Sequence, residues 1–485
     1  MNNIILKTDS YKIGGHWNMY PANTEAVYSY FESRTGAMYP SVVWFGLQAL
    51  LKQIEGVCVT QSDIEEAAMV CRAHFGNDTS FNRAGWEYIV NQHKGRLPVR
   101  IKAVPEGTVI PVSNILMSVE STDPKCAWLT NYIESFLTHI WYPCTVATQS
   151  RACKLLLSYF IHKTSDNPGA VSFMLHDFGY RGVSSDQSAD IGGAAHLVNF
   201  LGTDTIEALP FIVKYYKGLL EGLAYSVAAT EHSIMSALGP EGEADIIQDL
   251  LNKYPKGILS VVADTYDIYN FCDNLMGKKF KDQILAREGV FVVRPDSVTP
   301  EHPYPEAEIA WILESLWKNF GGTVNSKGYK VLNSKVKVLW GDGLDMEDIT
   351  QIVKEVTEDG YSVENLVFGM GGGLLQKVNR DTQRFAFKSS AQKRDGVWHD
   401  VYKKPKDLSK ISKKGRMKLV RKEGSHASIL VTVPESDPRP DFLEVVFENG
   451  EIKKTYNFTT VRANANIHPW EIANYTLPVA NDNLI

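Results

Sequence analysis

The sequence lacks any CxxC pair. Its six cysteines (Cys58, Cys71, Cys126, Cys144, Cys153, Cys272) stand singly along 485 residues. That scatter gives no support to a cysteine-built zinc site and suits free thiols in a reducing compartment. The opening residues, MNNIILKTDSYK, have no long apolar core of a secretory signal. No apolar run approaches the roughly 20 residues that cross a bilayer. A cytoplasmic protein without membrane attachment is therefore expected. A basic excess is missing too: 50 Lys+Arg against 56 Asp+Glu leave a net charge of -6, which gives no overall pull toward nucleic acid. There is no GxxxxGK[ST], and Gly369-Met370-Gly371-Gly372-Gly373 is followed by Leu374 and Leu375 rather than completing GxGxxG. P-loop and dinucleotide readings have little to stand on. Solenoid repeats and low-complexity tails are likewise absent from the sequence.

What remains is the composition of a globular protein, 44% hydrophobic and 22% charged, long enough for more than one domain. The organising stretch spans residues 170–204. Its apolar opening, 170–175, predicts a buried strand that ends in His176-Asp177-Phe178-Gly179-Tyr180-Arg181-Gly182. Ser184 and Ser185 offer N-caps for a helix through 189–195, and a second strand is predicted at 196–200, ending in Gly202-Thr203-Asp204. Further strands are predicted at 225–230, 258–263, 290–293, 336–340 and 366–368, with a helix over 346–356. They end respectively in Glu231-His232, Asp264, Arg294-Pro295-Asp296, Gly341-Asp342 and the glycine turn. Strand ends of one chemical character argue for a parallel α/β barrel or open sheet with a shared pocket.

The flanks read as α+β. A strand is expected at 27–31, helical spacing over 42–70 with Thr60 to Asp63 as a cap, and short strands within 97–120. An apolar stretch, 127–142, leads into a helix over 145–162 and a break at Asn167-Pro168-Gly169. Beyond Arg380, strands are expected at 385–388, 397–402 and 417–421. The expected divisions are 1–166, a barrel-like catalytic core over 167–376, and 377–485 packing with the N-terminal part.

Several residue types at these strand ends suggest chemistry. Asp264, Asp296 and Asp342 can bind ribose hydroxyls or hold Mg2+, directly or through water, or can simply cap helices. Arg294 has the planar donor fork that suits phosphate. Phe178 and Tyr180 offer faces for a heteroaromatic ring, and Asp204 can accept from an amide. The glycine turn can form an anion nest or a plain tight turn. The lysine-rich run 403–422 is either a solvated face or a basic wall that draws phosphates. Ring, ribose, phosphate and metal together describe chemistry between a base and a ribosyl phosphate.

Asp9-Ser10-Tyr11-Lys12, LHDFGYRGVSS, HLVNFLGTDT, AATEHS, SVVADTYDIYN, VRPDS, WGDG and FGMGGGLLQKVNRD occur in that order. In these motifs, and as far as about Phe458, the chain resembles the nicotinamide phosphoribosyltransferases, type II members of the nicotinate phosphoribosyltransferase superfamily. The resemblance implies an irregular TIM-like α/β barrel with a second α+β domain built from the N- and C-terminal parts of the chain. It implies a cytoplasmic homodimer with shared active sites, acting on nicotinamide and phosphoribosyl pyrophosphate, with Mg2+ and with ATP as coupled co-substrate. Phe178 would stack on nicotinamide, with Tyr11 of the other subunit on the opposite face, and Asp204 would accept from the carboxamide. Arg181 and Arg294 would contact ligand and phosphate; Gly341, Asp342, Gly371 and Gly372 would cradle ribose and phosphate. Arg380 and Lys388 would reach a phosphate across the dimer interface. Asp264 and Asp296 would serve the reacting centre and the metal through water, and His232 would be phosphorylated by ATP. Two positions depart from the pattern: Val298 where glycine is usual, and Met370 where a small polar residue is usual. A nicotinate phosphoribosyltransferase is the alternative, disfavoured because Asp204 would repel a carboxylate. A sugar-phosphate aldolase would want a Schiff-base lysine at a strand end, and none of these ends has one. A non-catalytic binding protein would have less reason to keep the full set.

Overall fold

The computed structural model describes residues 3–406, 411–422 and 429–477. The chain divides into two compact units. The first comprises Met1–Thr148, Ile212–Gly218 and Val378–Ala465, the second Gln149–Phe211, Leu219–Lys377 and Asn466–Ile485.

In the first unit a seven-stranded sheet runs Val397–Asp400, Phe385–Arg394, Thr24–Ser33, Ile115–Ser121, Val99–Ala103, Glu444–Glu448 and Glu451–Ile452, each neighbour antiparallel. Burial alternates along Val99–Ala103, as a strand with one covered face requires. Two helices, Gln61–Phe75 and Arg83–His93, add to this unit's core through Ile64, Ala67, Cys71, Trp86 and Ile89. Thr60 and Asp63 form the reciprocal cap that starts the first of them. Lys12 is buried yet paired: its Nζ donates to Asn131 O and to Glu134, both at 2.5 Å.

The second unit holds seven parallel strands: β1 (Leu175–Asp177), β2 (Gly202–Thr203), β3 (Ala228–Ala229), β4 (Leu259–Val262), β5 (Phe291–Arg294), β6 (Val336–Trp340) and β7 (Leu366–Met370). Their order in the sheet is β2-β1-β7-β6-β5-β4-β3. A further parallel bridge ties Gly202 of β2 to Tyr225, just ahead of β3. There Tyr225 N donates to Leu201 O at 2.8 Å and Thr203 N to Tyr225 O at 3.1 Å. The strands thus follow one another around a barrel-like sheet in chain order, with β2 and β3 meeting at a thin seam. Residues of β4 to β7 are almost all apolar and buried, the pattern of parallel strands covered on both faces. Helix Pro305–Phe320 starts on a proline and buries Ile309, Ile312, Leu313 and Leu316 at helical spacing. Helix Met346–Glu358 starts at Asp345, whose carboxylate accepts from Glu347 N and Asp348 N.

Three expectations change. Residues 170–175 are not a strand: a 3-10 helix, Pro168–Phe173, takes most of the run, and only Leu175 onward reaches the sheet. Pro168 at the first helical position presets the turn. Residues 196–200 are not a strand either. Helix Asp186–His196, capped by Ser185, continues into tight turns in which Phe200 N donates to His196 O. His196 is buried there, with Ser150 Oγ 3.0 Å from Nδ1 and Gly202 O 3.2 Å from Nε2. A short apolar run suits a buried turn as well as a strand. The helical spacing over 42–70 breaks into strand Ser41–Val43 and helices Leu47–Lys52 and Gln61–Phe75. Five of the six thiols are buried, and Cys58 is exposed. No helix among the described residues is long and apolar enough to cross a membrane.

Candidate active site

The carboxyl ends of β1 to β7 carry the candidate residues of the second unit. Phe178 follows β1, and its backbone N–H donates to Met370 O of β7 at 3.0 Å. The ring is held on three sides. Arg294 stacks its guanidinium over it at 4.9 Å, and His176 lies 4.7 Å away, tilted by 37°. On the third side is Gly369, where a Cβ would fall 2.4 Å from Phe178 Cε2. Gly341 is close as well, a Cβ there meeting the same ring atom at 3.8 Å.

Asp177, pointing the other way along β1, is fully buried and accepts from Gly179 N at 2.7 Å and Thr203 Oγ1 at 3.1 Å. Burial pushes its carboxyl up from the usual range against those hydrogen bonds. It braces the loop that carries Phe178. Asp204 ends β2. Burial alone would raise its carboxyl, but hydrogen bonds from His176 and Ser226, with the Arg294 charge, outweigh burial and hold it below the usual value.

Around β3 to β6 lie His232, Asp264, Asp296 and Asp342. His232 Nε2 is 3.5 Å from Asp264 Oδ1 and its Nδ1 4.0 Å from Asp296 Oδ2. Asp264 Oδ2 accepts from Ser297 Oγ, while Oδ1 is buried with no hydrogen bond among the described residues, His232 Nε2 standing 3.5 Å away. Asp342 is pushed up by burial first and then by the charges of Asp296 and Asp264, so the three acids share one neighbourhood. None of them caps a helix; Asp267 and Asp345 do that work. An orphaned carboxylate oxygen amid further acids is a hard-oxygen donor set of the kind Mg2+ takes, so the residues fit that ion. Arg294 Nε is likewise buried with no hydrogen-bond partner among the described residues.

Arg181 is exposed on the 3-10 turn Tyr180–Gly182, where a Cβ on Gly182 would sit 3.5 Å from Gly372. Gly371 precedes the short helix Gly372–Leu375, and a Cβ on Gly372 would meet open space. Met370 is fully buried within β7, and Val298 is 40% exposed beside the Asp296 loop.

Tyr11, Arg380 and Lys388 belong to the first unit, where Glu134 acts on Tyr11 and Lys388. Its charge raises Tyr11 after burial does, and it opposes the lowering that burial imposes on Lys388. Arg34, Lys403 and Arg380 add to that lowering, so four cations crowd here. The rest of run 403–422 is mostly spent within the unit. Lys413 pairs with Glu32, Arg416 stacks on Trp398 at 4.5 Å, and Lys418 bonds Asp437 O and Arg439 O. Residues 407–410 of the run lie outside the described residues.

The sequence motifs assign no role to His176 or Ser226. Alternation along β1 puts His176 and Phe178 on one side, which is the signal for the former; nothing in the sequence marks Ser226. His93, Asp123 and Cys126 also converge, in the first unit. There His93 Nε2 lies 2.8 Å from Asp123 and Tyr88 OH donates to the same oxygen at 3.0 Å, so the group is satisfied internally.

A model of the nicotinate phosphoribosyltransferase (NAPRTase) family matches residues 173–451, and one of the nicotinamide phosphoribosyltransferase N-terminal domain matches residues 3–101. The chain is 44% identical over 473 residues to a nicotinamide phosphoribosyltransferase of Xanthomonas campestris pv. campestris, covering 96% of this chain and 98% of that one. It is 34% identical over 442 residues to a nicotinamide phosphoribosyltransferase of Mycoplasma pneumoniae, covering 85% of this chain and 94% of that one. The crystal structure of a nicotinate-nucleotide pyrophosphorylase from Pyrococcus furiosus shares the fold: TM-score 0.60, 16% identity, 96% of this chain and 95% of that one. With a family model over more than half its length and relatives matched nearly end to end, the chain belongs to the nicotinate phosphoribosyltransferase family.

Proposed function

We propose that this protein transfers the phosphoribosyl group of phosphoribosyl pyrophosphate to nicotinamide, giving nicotinamide mononucleotide and pyrophosphate in NAD salvage. The observation that carries the reading is Asp204, a carboxylate held below its usual range at the end of β2 and hydrogen-bonded to the His176 imidazole, which lies against the Phe178 ring. An ionised acceptor there binds an amide N–H and repels the carboxylate of nicotinate. The names of the Xanthomonas and Mycoplasma relatives support the same substrate.

Phe178 orients the flat ring, with Tyr11 of a partner subunit on the other face. Orientation matters because nicotinamide is a weak nucleophile. Breaking the bond from ribose C1 to pyrophosphate builds positive charge on the sugar and negative charge on the leaving group. The carboxylates at β4 to β6 stabilise the former, and Arg294, with its unpartnered Nε, the latter. Asp264 and Asp296 would hold Mg2+ through water, and the ion, when bound, supplies charge neutralisation at the leaving group. Arg181, Gly341, Asp342, Gly371 and Gly372 complete the cradle, and Arg380 and Lys388 bring cations to a phosphate from the partner of a homodimer. The buried free thiols suit the cytoplasm.

His232 is the site of ATP coupling in this reading. An imidazole nitrogen attacks the γ-phosphorus, a P–N bond forms, the P–O bond breaks and ADP leaves with its electron pair. Asp264 and Asp296 flank the ring at 3.5 and 4.0 Å. The test is chromatography of products from phosphoribosyl pyrophosphate, Mg2+ and either nicotinamide or nicotinate, with and without ATP. Nicotinamide mononucleotide is expected, formed faster with ATP, and His232→Ala should lose the ATP gain while keeping slow product formation. A product from nicotinate alone overturns the substrate, and ATP stimulation that survives His232→Ala overturns the coupling.

A further inference from the structure

Two donors converge on a single oxygen of Asp204. His176 Nε2 lies 2.8 Å and Ser226 Oγ 2.6 Å from Oδ1, and among the described residues Oδ2 accepts no side-chain hydrogen bond. An ionised carboxylate can only accept, so Nε2 of His176 carries its hydrogen in this pair. The two donors come from separate strands' ends, His176 within β1 and Ser226 in the segment leading to β3. We infer that His176 is a positioning residue for acceptor specificity: with Ser226 it occupies Oδ1 of Asp204, leaving Oδ2 for the carboxamide N–H of the base. The inference rests on the proposed transfer to nicotinamide.

Three further features serve the same arrangement. His176 pairs in register with Gly202, and a Cβ on Gly202 would fall 2.7 Å from His176 Nδ1, so the glycine makes room for the imidazole. The imidazole is also the neighbour of the Phe178 ring at 4.7 Å, so one side chain braces both the stacking surface and the amide acceptor. The Asp204 side chain is 44% exposed and that of His176 only 12%, which puts the acceptor toward the mouth and its brace behind it. Asp204 is also faced by Arg294, while Asp177, His196 and Asp204 face His176. Without the His176 donor, burial acts on Asp204 with less opposition, and its carboxyl rises.

The test uses the full-length enzyme with His176→Ala, His176→Gln, Asp204→Asn and the double variant His176→Ala/Asp204→Asn. Glutamine keeps a donor near the place of Nε2. His176→Ala should raise KM for nicotinamide about tenfold, the effect of losing one charge-assisted hydrogen bond, with KM for phosphoribosyl pyrophosphate held. The acid limb of kcat/KM for nicotinamide should move to higher pH, discrimination against nicotinate should narrow, and His176→Gln should recover most of both. In the Asp204→Asn background, His176→Ala should add little. The inference is overturned if His176→Ala leaves nicotinamide KM and the acid limb where they were. It is equally overturned if KM rises alike for both substrates, or if the alanine change costs as much without Asp204 as with it. Should His176→Ala not fold, His176→Gln decides alone: near-native KM and acid limb support the inference, and values close to those of Asp204→Asn overturn it. Failure of the parent enzyme to use nicotinamide is a separate result that would sink the proposed function instead.

Discussion

Side chains at the barrel mouth are defined as much by missing atoms as by present ones. Gly369 is the sharpest case, since the Phe178 ring lies where its Cβ would be. Gly369→Ala should tilt the ring off its place between Arg294 and His176, lowering kcat/KM for nicotinamide by about 10- to 100-fold, on the order of 1–3 kcal/mol of strain. Steady-state kinetics beside a thermal melt would separate a displaced ring from a lost fold; unchanged kinetics would mean that the ring's position is immaterial. The sequence disclosed the acids, Arg294 and Phe178 because each stands at the end of an apolar run. It did not disclose that His176 meets Asp204, because that meeting depends on the register of β1 against β2. Nor could it show that Glu134 sits beside Tyr11 and Lys388, residues far apart in the chain.

Elements were legible where pattern and length agreed. Strands 336–340 and 417–421 run over the residues expected, and Thr60 caps the helix it was expected to cap. They were illegible where a short apolar run served a buried turn, as at 170–175 and 196–200. One helix start could not have been read locally at all. Gly46 precedes helix Leu47–Lys52 without a side chain to cap it. Glu106 does so from a distance, accepting from Gly46 N at 3.0 Å, Gln48 N at 2.5 Å and Tyr216 OH at 2.7 Å. Burial, only partly offset by those bonds, pushes its carboxyl from 4.5 up to about 6. A raised carboxyl means that the folded state binds the extra proton in that interval, so Glu106's contribution to stability is full below about 4.5 and is lost as pH rises through about 6. The loss is on the order of 2 kcal/mol. Urea denaturation across that window should show the decline in the parent and a flatter profile in Glu106→Gln. Parallel profiles would assign the decline to another group.

At the scale of the whole molecule, Tyr11, Arg380 and Lys388 lie in one compact unit and the strand-end residues in the other. The proposed homodimer supplies the first set from a partner. Mixing inactive Tyr11→Ala chains with inactive Phe178→Ala chains should restore roughly a quarter of the parent activity, because half the dimers are mixed and each holds one unaltered site. No recovery after proven subunit exchange would argue for sites complete within one chain. The barrel-like sheet also sorts its tasks around the ring. Residues proposed to read the base cluster on β1, β2 and the approach to β3; apart from Arg181 after β1 and the first unit's Arg380 and Lys388, those proposed to handle ribose, phosphate and metal end or follow β4 to β7. On that reading, selection could retune which pyridine is accepted by changing the three shortest neighbouring strands while leaving the bond-breaking machinery untouched. A lineage holding both amide- and acid-using enzymes is what such a division of labour would allow to diverge.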